Sequence, residues 1–283
     1  MYSFPIGVML DSFLLPTPKA IQKAAEIGAV GVQMYATSGE HSPENMTPDK
    51  IYELKSRMQD SGLVFSALCG DLGQGFGHAE KNPALIEKSK RILELAKELG
   101  TDVVTTHIGV VPTDSSHPRY QIMQEACHEL AEYADSMEAH FAIETGPETS
   151  LTLKNFLDSL GSKGVAVNLD PANLVMVTGD DPVQAVFNLK DYIVHTHAKD
   201  GIRLFEKDPE MIYGVKMDAL SHLGNAFEEV PLGKGGVDFD RYLAALDQIG
   251  YKGFLTIERE CGADPAADIA AAVAFLKEKI ASH

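Results

Sequence analysis

Residues Asn82 to Gly109 read NPALIEKSKRILELAKELGTDVVTTHIG. Pro83 suits the first turn of a helix, where its missing N–H is not needed, and Gly100 marks the stop after a stretch of helical periodicity. DVVTTHIG follows as an apolar, β-branched run that reads as a buried strand. The same order recurs along the chain. Thr17-Pro18 opens a helix with Ile21, Ala24, Ala25 and Ile27 on one face, the Thr17 hydroxyl as its expected N-cap, Gly28 as its stop and VGVQMY as the strand. Thr47-Pro48 leads through Gly62 to LVFSAL, and His117-Pro118 leads through about Ala139 to HFAIETG. A helix over Leu151 to Leu160 leads to VAVNLD, Asp181-Pro182 leads to YIVHTH, and Asp238 leads through Gly250 to GFLTIERE.

From PIGVML onward there are eight such apolar runs, each separated from the next by a helical segment. Strands alternating with helices and reading as continuous apolar runs imply a parallel sheet covered by helices. Eight units predict a closed (β/α)8 barrel, with a doubly wound open sheet as the alternative. No GxGxxG or GxxxxGK[ST] follows a strand, which counts against the open sheet. At 283 residues and 45% hydrophobic content, the reading is one domain over residues 1–283. The connection from about Gly201 to Gly236 is out of proportion to the others, and a long βα connection is expected on the active-site face.

Lys plus Arg total 24 against 41 Asp plus Glu, a formal charge of -17. That surface repels phosphate backbones and anionic lipid, so neither nucleic acid nor membrane is an expected partner. Cys69, Cys127 and Cys261 are too widely spaced for a disulfide framework or a close zinc motif, and fit reduced thiols in a cytoplasmic protein. MYSFPIGVMLDSFLLP lacks a basic leading segment and is interrupted by Pro5 and Asp11; it is read as a strand and loop, not a signal peptide or membrane span.

In a parallel barrel the C-terminal strand ends meet at one mouth, so polar residues there are candidates for chemistry. In strand order these are His107, Glu144, Asp170, His197 and Glu258. One carboxylate after a strand is ordinarily a helix cap or a solvated loop residue. Consecutive strand ends that each supply a carboxylate or imidazole are another matter. Three carboxylates and one imidazole would gather about three negative charges, which calls for a cation among them. Oxygen donors with one nitrogen suit Mn2+ or Mg2+, and are compatible with Co2+ or Zn2+. Such an ion polarises a carbonyl and acidifies the adjacent C–H, and a carboxylate on each side of that carbon can take and return the proton. His195, two residues before His197, points the same way in a strand and is read as a packed or supporting group. Lys199, Asp200, Arg203 and Glu260 have an alternative reading as plain surface or supporting charges, as His107 has one as a loop cap.

IET at Ile143 to Thr145, NLDPANL at Asn168 to Leu174, HTHAKD at His195 to Asp200, and VPLGKGGVDF with GYKGFLTIERE near the end carry a family likeness. Together they resemble the sugar phosphate isomerase/epimerase superfamily of xylose isomerase-like TIM barrels, over most of the chain. The resemblance implies Glu144, Asp170, His197 and Glu258 as metal ligands, with Glu144 and Glu258 also the catalytic acid/base pair of the ketose 3-epimerase branch. It implies Arg203 as a substrate contact and the loop from Gly201 to Gly236 as a cover, with His107, Asn173 and Lys199 as further substrate-binding candidates. The epimerase branch commonly has a histidine where this chain has Asn173. The apurinic endonuclease branch uses additional histidine ligands, which Asn173 and FSALCGDL do not supply.

The expected function is therefore a divalent-metal-dependent sugar isomerase or epimerase, acting on a small carbohydrate ketone through a cis-enediolate. The alternative is an inosose-dehydratase-like lyase, and an apurinic endonuclease-like hydrolase ranks behind both. No Gly-rich phosphate cradle is legible, so a free sugar and a sugar phosphate stand level. Barrels of this kind often associate into homo-oligomers, and the residues mark no interface patch.

Overall fold

The computed structural model describes residues 2–282, so Met1 and His283 at the ends of the expected domain lie outside the described residues. Its barrel strands are β1 (Ile6–Met9), β2 (Gly31–Tyr35), β3 (Val64–Cys69), β4 (Val103–Thr106), β5 (His140–Glu144), β6 (Val165–Leu169) and β7 (Ile193–Ala198). After β8 (Asp200–Arg203) and β9 (Phe227–Val230), which lie outside the barrel, β10 (Leu255–Ile257) completes it. All neighbouring barrel strands are parallel, and β1 closes the ring by pairing Val8 with Val32 of β2 and with Ile257 of β10. Closure removes sheet edges, and the surrounding helices cover the outer face.

The unit quoted above shows why the chain folds this way. The helix Asn82–Leu99 buries Leu85, Ile86, Ser89, Ile92, Leu93, Ala96 and Leu99, a stripe that returns every three or four residues, against the sheet. Gly100 ends it at φ 89° with its N–H returned to the carbonyls of Ala96 and Lys97, a left-handed conformation that strains any residue with a Cβ. Thr47, His117, Asp181 and Asp238 cap their helices by accepting the backbone N–H of Lys50, Arg119, Val183 and Arg241. Thr17 does not act as the expected cap. It lies inside the helix Thr17–Glu26, Pro16 occupies the cap position, and the Thr17 hydroxyl donates sideways to Glu40 Oε1 at 3.0 Å.

The long connection is more ordered than its composition suggests. β8 and β9 pair antiparallel, Asp200 opposite Val230 and Arg203 opposite Phe227, and between them lie a short helix Pro209–Ile212 and a 3-10 turn Ser221–Leu223. Glu210 of that short helix is held by Arg119 on the helix Pro118–Ser136, and the Tyr213 ring stands 6.2 Å from His107. The connection thus reaches over the barrel mouth. Among the described residues no helix is long and apolar enough to cross a membrane.

Candidate metal centre

Four adjacent strands, in the order β5, β6, β7 and β10, bring Glu144, Asp170, His197 and Glu258 to one point. One ligand atom from each lies within 4.8 Å of the others, and all four side chains are buried. His197 Nδ1 is 3.5 Å from Glu144 Oε1, 3.5 Å from Asp170 Oδ2 and 3.4 Å from Glu258 Oε2.

The ring is aimed from below. Gln33 Oε1 lies 2.9 Å from His197 Nε2 and can only accept, so Nε2 carries a hydrogen and Nδ1 is the nitrogen turned to the cluster. Gln33 is itself oriented, its Nε2 donating to Thr105 Oγ1 at 2.7 Å. Asn168 Nδ2 donates to Glu144 Oε2 at 3.0 Å, and Asn168 Oδ1 accepts from His195 Nδ1 at 2.8 Å. His195 Nε2 in turn accepts from Thr256 Oγ1 at 2.8 Å. Gln33 and Asn168 each follow a shift of strand register, between Val32 and Gln33 and between Val167 and Asn168, an irregularity of the kind that re-aims side chains. Neither amide was expected at the site. The register shift that points them inward is a property of strand pairs and leaves no mark in either strand alone.

These residues fit a divalent cation. Asp170 is fully buried; its Oδ1 caps the backbone N–H of Asn173 at 2.9 Å, while Oδ2 has no hydrogen-bond partner. A buried carboxylate oxygen left without a donor is costly unless a cation meets it. The imidazole reports the same field: burial works against its charged form, yet the carboxylates of Glu258 and Glu144 hold His197 well above the usual histidine range. His195, buried and beside His197, is held well below that range. A set of three oxygens and one nitrogen suits a hard or intermediate divalent cation.

Above the cluster opens a cavity of about 750 Å³. Glu144 and Glu258 line it, whereas Asp170 and His197 lie beneath its wall. His107, Asn173 and Lys199, named above as substrate-binding candidates, also line it. His107 Nδ1 is 3.2 Å from Asp71 Oδ2, and Nε2 is 3.7 Å from Glu144 Oε1. Burial opposes its protonation, but the carboxylates of Glu144 and Asp71 push His107 up to about 9. Asn173 Nδ2 donates to Glu144 Oε1 at 3.1 Å. Lys199 Nζ donates to Glu258 Oε2 at 2.9 Å and to Glu260 Oε2. Although burial favours the neutral carboxyl, Lys199 and His197 hold Glu258 well below the usual carboxylate range.

Arg203 is not brought to the cavity wall. On β8 it lies half-buried, its Nη1 donating to Thr178 O at 3.3 Å beside Gly179 and its Nε buried without a partner. Tyr35, Asp71, Tyr213 and Phe227 line the cavity without having been singled out. Asp71 and Tyr35 stand at the ends of β3 and β2, where the same strand-end rule would have found them.

With this geometry in hand, comparison with known proteins is decisive for the family. The pattern of the xylose isomerase-like TIM barrels matches residues 21–279. This chain belongs to the xylose isomerase-like TIM barrel family. It is 23% identical to an uncharacterised protein of Methanocaldococcus jannaschii over 232 residues, 77% of this chain and 70% of the relative. It is 29% identical to an inosose dehydratase of Lacticaseibacillus casei over 127 residues, 45% of this chain and 40% of that enzyme's length. A xylose isomerase domain protein from Planctomyces limnophilus superposes with a TM-score of 0.80 at 23% identity, covering 100% of this chain and 99% of that one. An L-ribulose 3-epimerase gives a TM-score of 0.74 at 18% identity, covering 99% and 95%. A Mycobacterium smegmatis barrel of this family, solved in complex with magnesium, gives 0.74 at 17%, covering 100% and 99%. At these identities the structural likeness is one of fold.

Proposed function

We propose that the protein is a divalent-metal-dependent isomerase or epimerase of a carbohydrate ketone. The observation that carries this reading is the arrangement of the two glutamates. Of four clustered ligand side chains, only Glu144 and Glu258 also face the cavity, from strands on either side of β6 and β7. Glu144, Asp170, His197 and Glu258 would hold Mg2+ or Mn2+, with Co2+ and Zn2+ chemically compatible. When bound, such an ion supplies Lewis acidity toward a substrate carbonyl and its neighbouring hydroxyl.

The protein's own groups supply the proton transfers. One glutamate carboxylate takes the proton from the carbon beside the carbonyl, leaving an enediolate, and the other returns a proton from the opposite face or to the neighbouring carbon. Asn168 and Asn173 fix Glu144 through two amide hydrogen bonds, one to each carboxylate oxygen, and Lys199 fixes Glu258. His107 presents Nε2 to the cavity and would contact a substrate oxygen. The short helix Pro209–Ile212 and Tyr213 would limit access of water. Three free cysteines accord with a cytoplasmic setting.

A second reading, loss of water from the same enediolate, is favoured by the partial match to inosose dehydratases and by the His107 and Asp71 pair, which lines the cavity beside Glu144 and supplies an acid for a departing hydroxyl. Incubation of the Mg2+- or Mn2+-loaded protein in D2O with ketoses and inosose, followed by NMR, tests both. Deuterium beside the carbonyl with a new epimer or aldose is the expected result; exchange with loss of water selects the dehydratase, and no exchange with any ketone removes enolisation.

A further inference from the structure

The charges around the cavity are partnered in a way that restricts what it can receive. Its cationic lining consists of Lys199, Arg259 and His107, and each already faces carboxylates. Lys199 lies between Glu258 and Glu260. Arg259 donates through Nε to Asp268 Oδ2 at 3.0 Å and through Nη1 to Glu229. His107 lies between Asp71 and Glu144. The wall carries the carboxylates of Asp71, Glu144, Glu228, Glu229, Glu258 and Glu260, with Asp170 just beneath. A divalent ion in the cluster leaves this wall negative. Arg203 on β8 does not line the cavity, and its Nη1 donates to Thr178 O.

The backbone closes the other route to an anion. Barrels of this type frequently bind phosphate through backbone amides of the loops that follow their last two strands, and glycine-rich turns make concave nests for that purpose. This chain has such a nest in its long connection. The N–H groups of Gly201, Gly233, Gly235 and Val237 converge at 2.9, 3.0, 2.9 and 3.1 Å, and the group they converge on is the carboxylate of Asp200. A Cβ at Gly235 would come within 2.2 Å of Asp200 Oδ1, so the turn is moulded around that side chain. The protein's own anion fills the place a phosphate would take.

The rest of the lining is largely apolar, with Met176, Val177, Leu204, Ile212, Tyr213 and Phe227 available to the C–H faces of a sugar or cyclitol ring. We propose that this cavity takes an uncharged polyhydroxy ketone, bearing neither phosphate nor carboxylate. The ketone rests on the enolisation reading above; the absence of charge rests on the partnered cations and the filled nest.

Matched pairs test it directly: D-fructose against D-fructose 6-phosphate, D-tagatose against D-tagatose 6-phosphate, and inorganic phosphate alone, each titrated calorimetrically into the Mg2+-loaded protein. Neutral sugars are expected to bind at least about tenfold more tightly than their phosphorylated twins, because like charges brought together are strongly unfavourable. Inorganic phosphate is expected to show no saturable binding. A phosphorylated twin that binds as tightly as its neutral partner, saturable phosphate binding, or failure of every neutral sugar to bind overturns the inference. Deuterium exchange on the same samples keeps the two proposals apart. Neutral binding without exchange removes enolisation and supports the substrate class, whereas faster exchange with the phosphorylated twin supports enolisation and removes the substrate class.

Discussion

His195 and His197 stand two residues apart on β7, both buried and both turned into the barrel, yet they belong to opposite environments. At the level of His197 three carboxylates converge and the imidazole is pushed toward its charged form. One step deeper, His195 is neutral, one nitrogen donating to Asn168 and the other accepting from Thr256. The upper layer concentrates charge where a cation and substrate can reach it from the cavity. The lower layer, with no such access, uses amides and hydroxyls that satisfy one another, because an unpaired charge there would be far more costly. The deeper layer is therefore a neutral scaffold for the charged one.

The largest effect should come from breaking the charged layer. Glu144→Gln and Glu258→Gln should each slow proton exchange by about 10²–10⁴-fold, the usual worth of a positioned acid or base, with thermal unfolding and circular dichroism little changed. Near-normal exchange rates in both variants would remove them as the acid/base pair.

Glu148 sharpens the same contrast, being a buried carboxyl outside the clustered set. Its Oε2 accepts the N–H of Val111 at 3.2 Å, its Oε1 has no hydrogen-bond partner, and burial pushes it up to about 8 from its ordinary 4.5. The unfolded chain gives up this proton first, so stability is fully present below the ordinary range and falls as pH rises toward 8, then levels. The slope is at most about 1.4 kcal/mol per pH unit for one group. Glu148→Gln should flatten that decline in urea midpoints measured across the window; an unchanged slope would assign it to other groups.

A smaller effect is expected one layer down. Gln33→Leu removes the acceptor that fixes the His197 tautomer and should weaken Mg2+ or Mn2+ binding by about 10–100-fold, as the loss of such outer partners typically does. Calorimetry with the metal alone measures this, and unaltered affinity would show that His197 is aimed by something else. The smallest catalytic consequence belongs to His195→Leu. It leaves Asn168 Oδ1 and the Thr256 hydroxyl without their partners and should cost about 1–3 kcal/mol of stability in chemical denaturation, while weakening metal binding less than Gln33→Leu. A variant that loses metal before it loses stability would break the division between the two layers.

Much of this was legible in the residues. The barrel could be read because each βα unit announces itself locally, with a proline near the helix start or a glycine at its stop and a continuous apolar run after it. Glu144, Asp170, His197 and Glu258 could be nominated because they stand at strand ends, and a parallel barrel sends all such ends to one mouth. What was misread was equally specific. The Thr17 hydroxyl turns to Glu40 where a cap was expected, and Arg203, expected at the substrate, bonds Thr178 O and does not line the cavity.

The sequence by itself determined the alternation of elements and hence the residues that could meet, because helical and strand periodicity depend on neighbours within a few positions. Only the tertiary structure decided which amide aims His197, which carboxylate holds His107, and that the glycine nest of the long connection is filled by Asp200. Those choices depend on the register between strands and on the path of a returning loop. Gln33 meets His197 across a separation of 164 residues, and Gly235 meets Asp200 across 35. No local pattern encodes a hydrogen bond of that reach, because its geometry exists only once the barrel has closed.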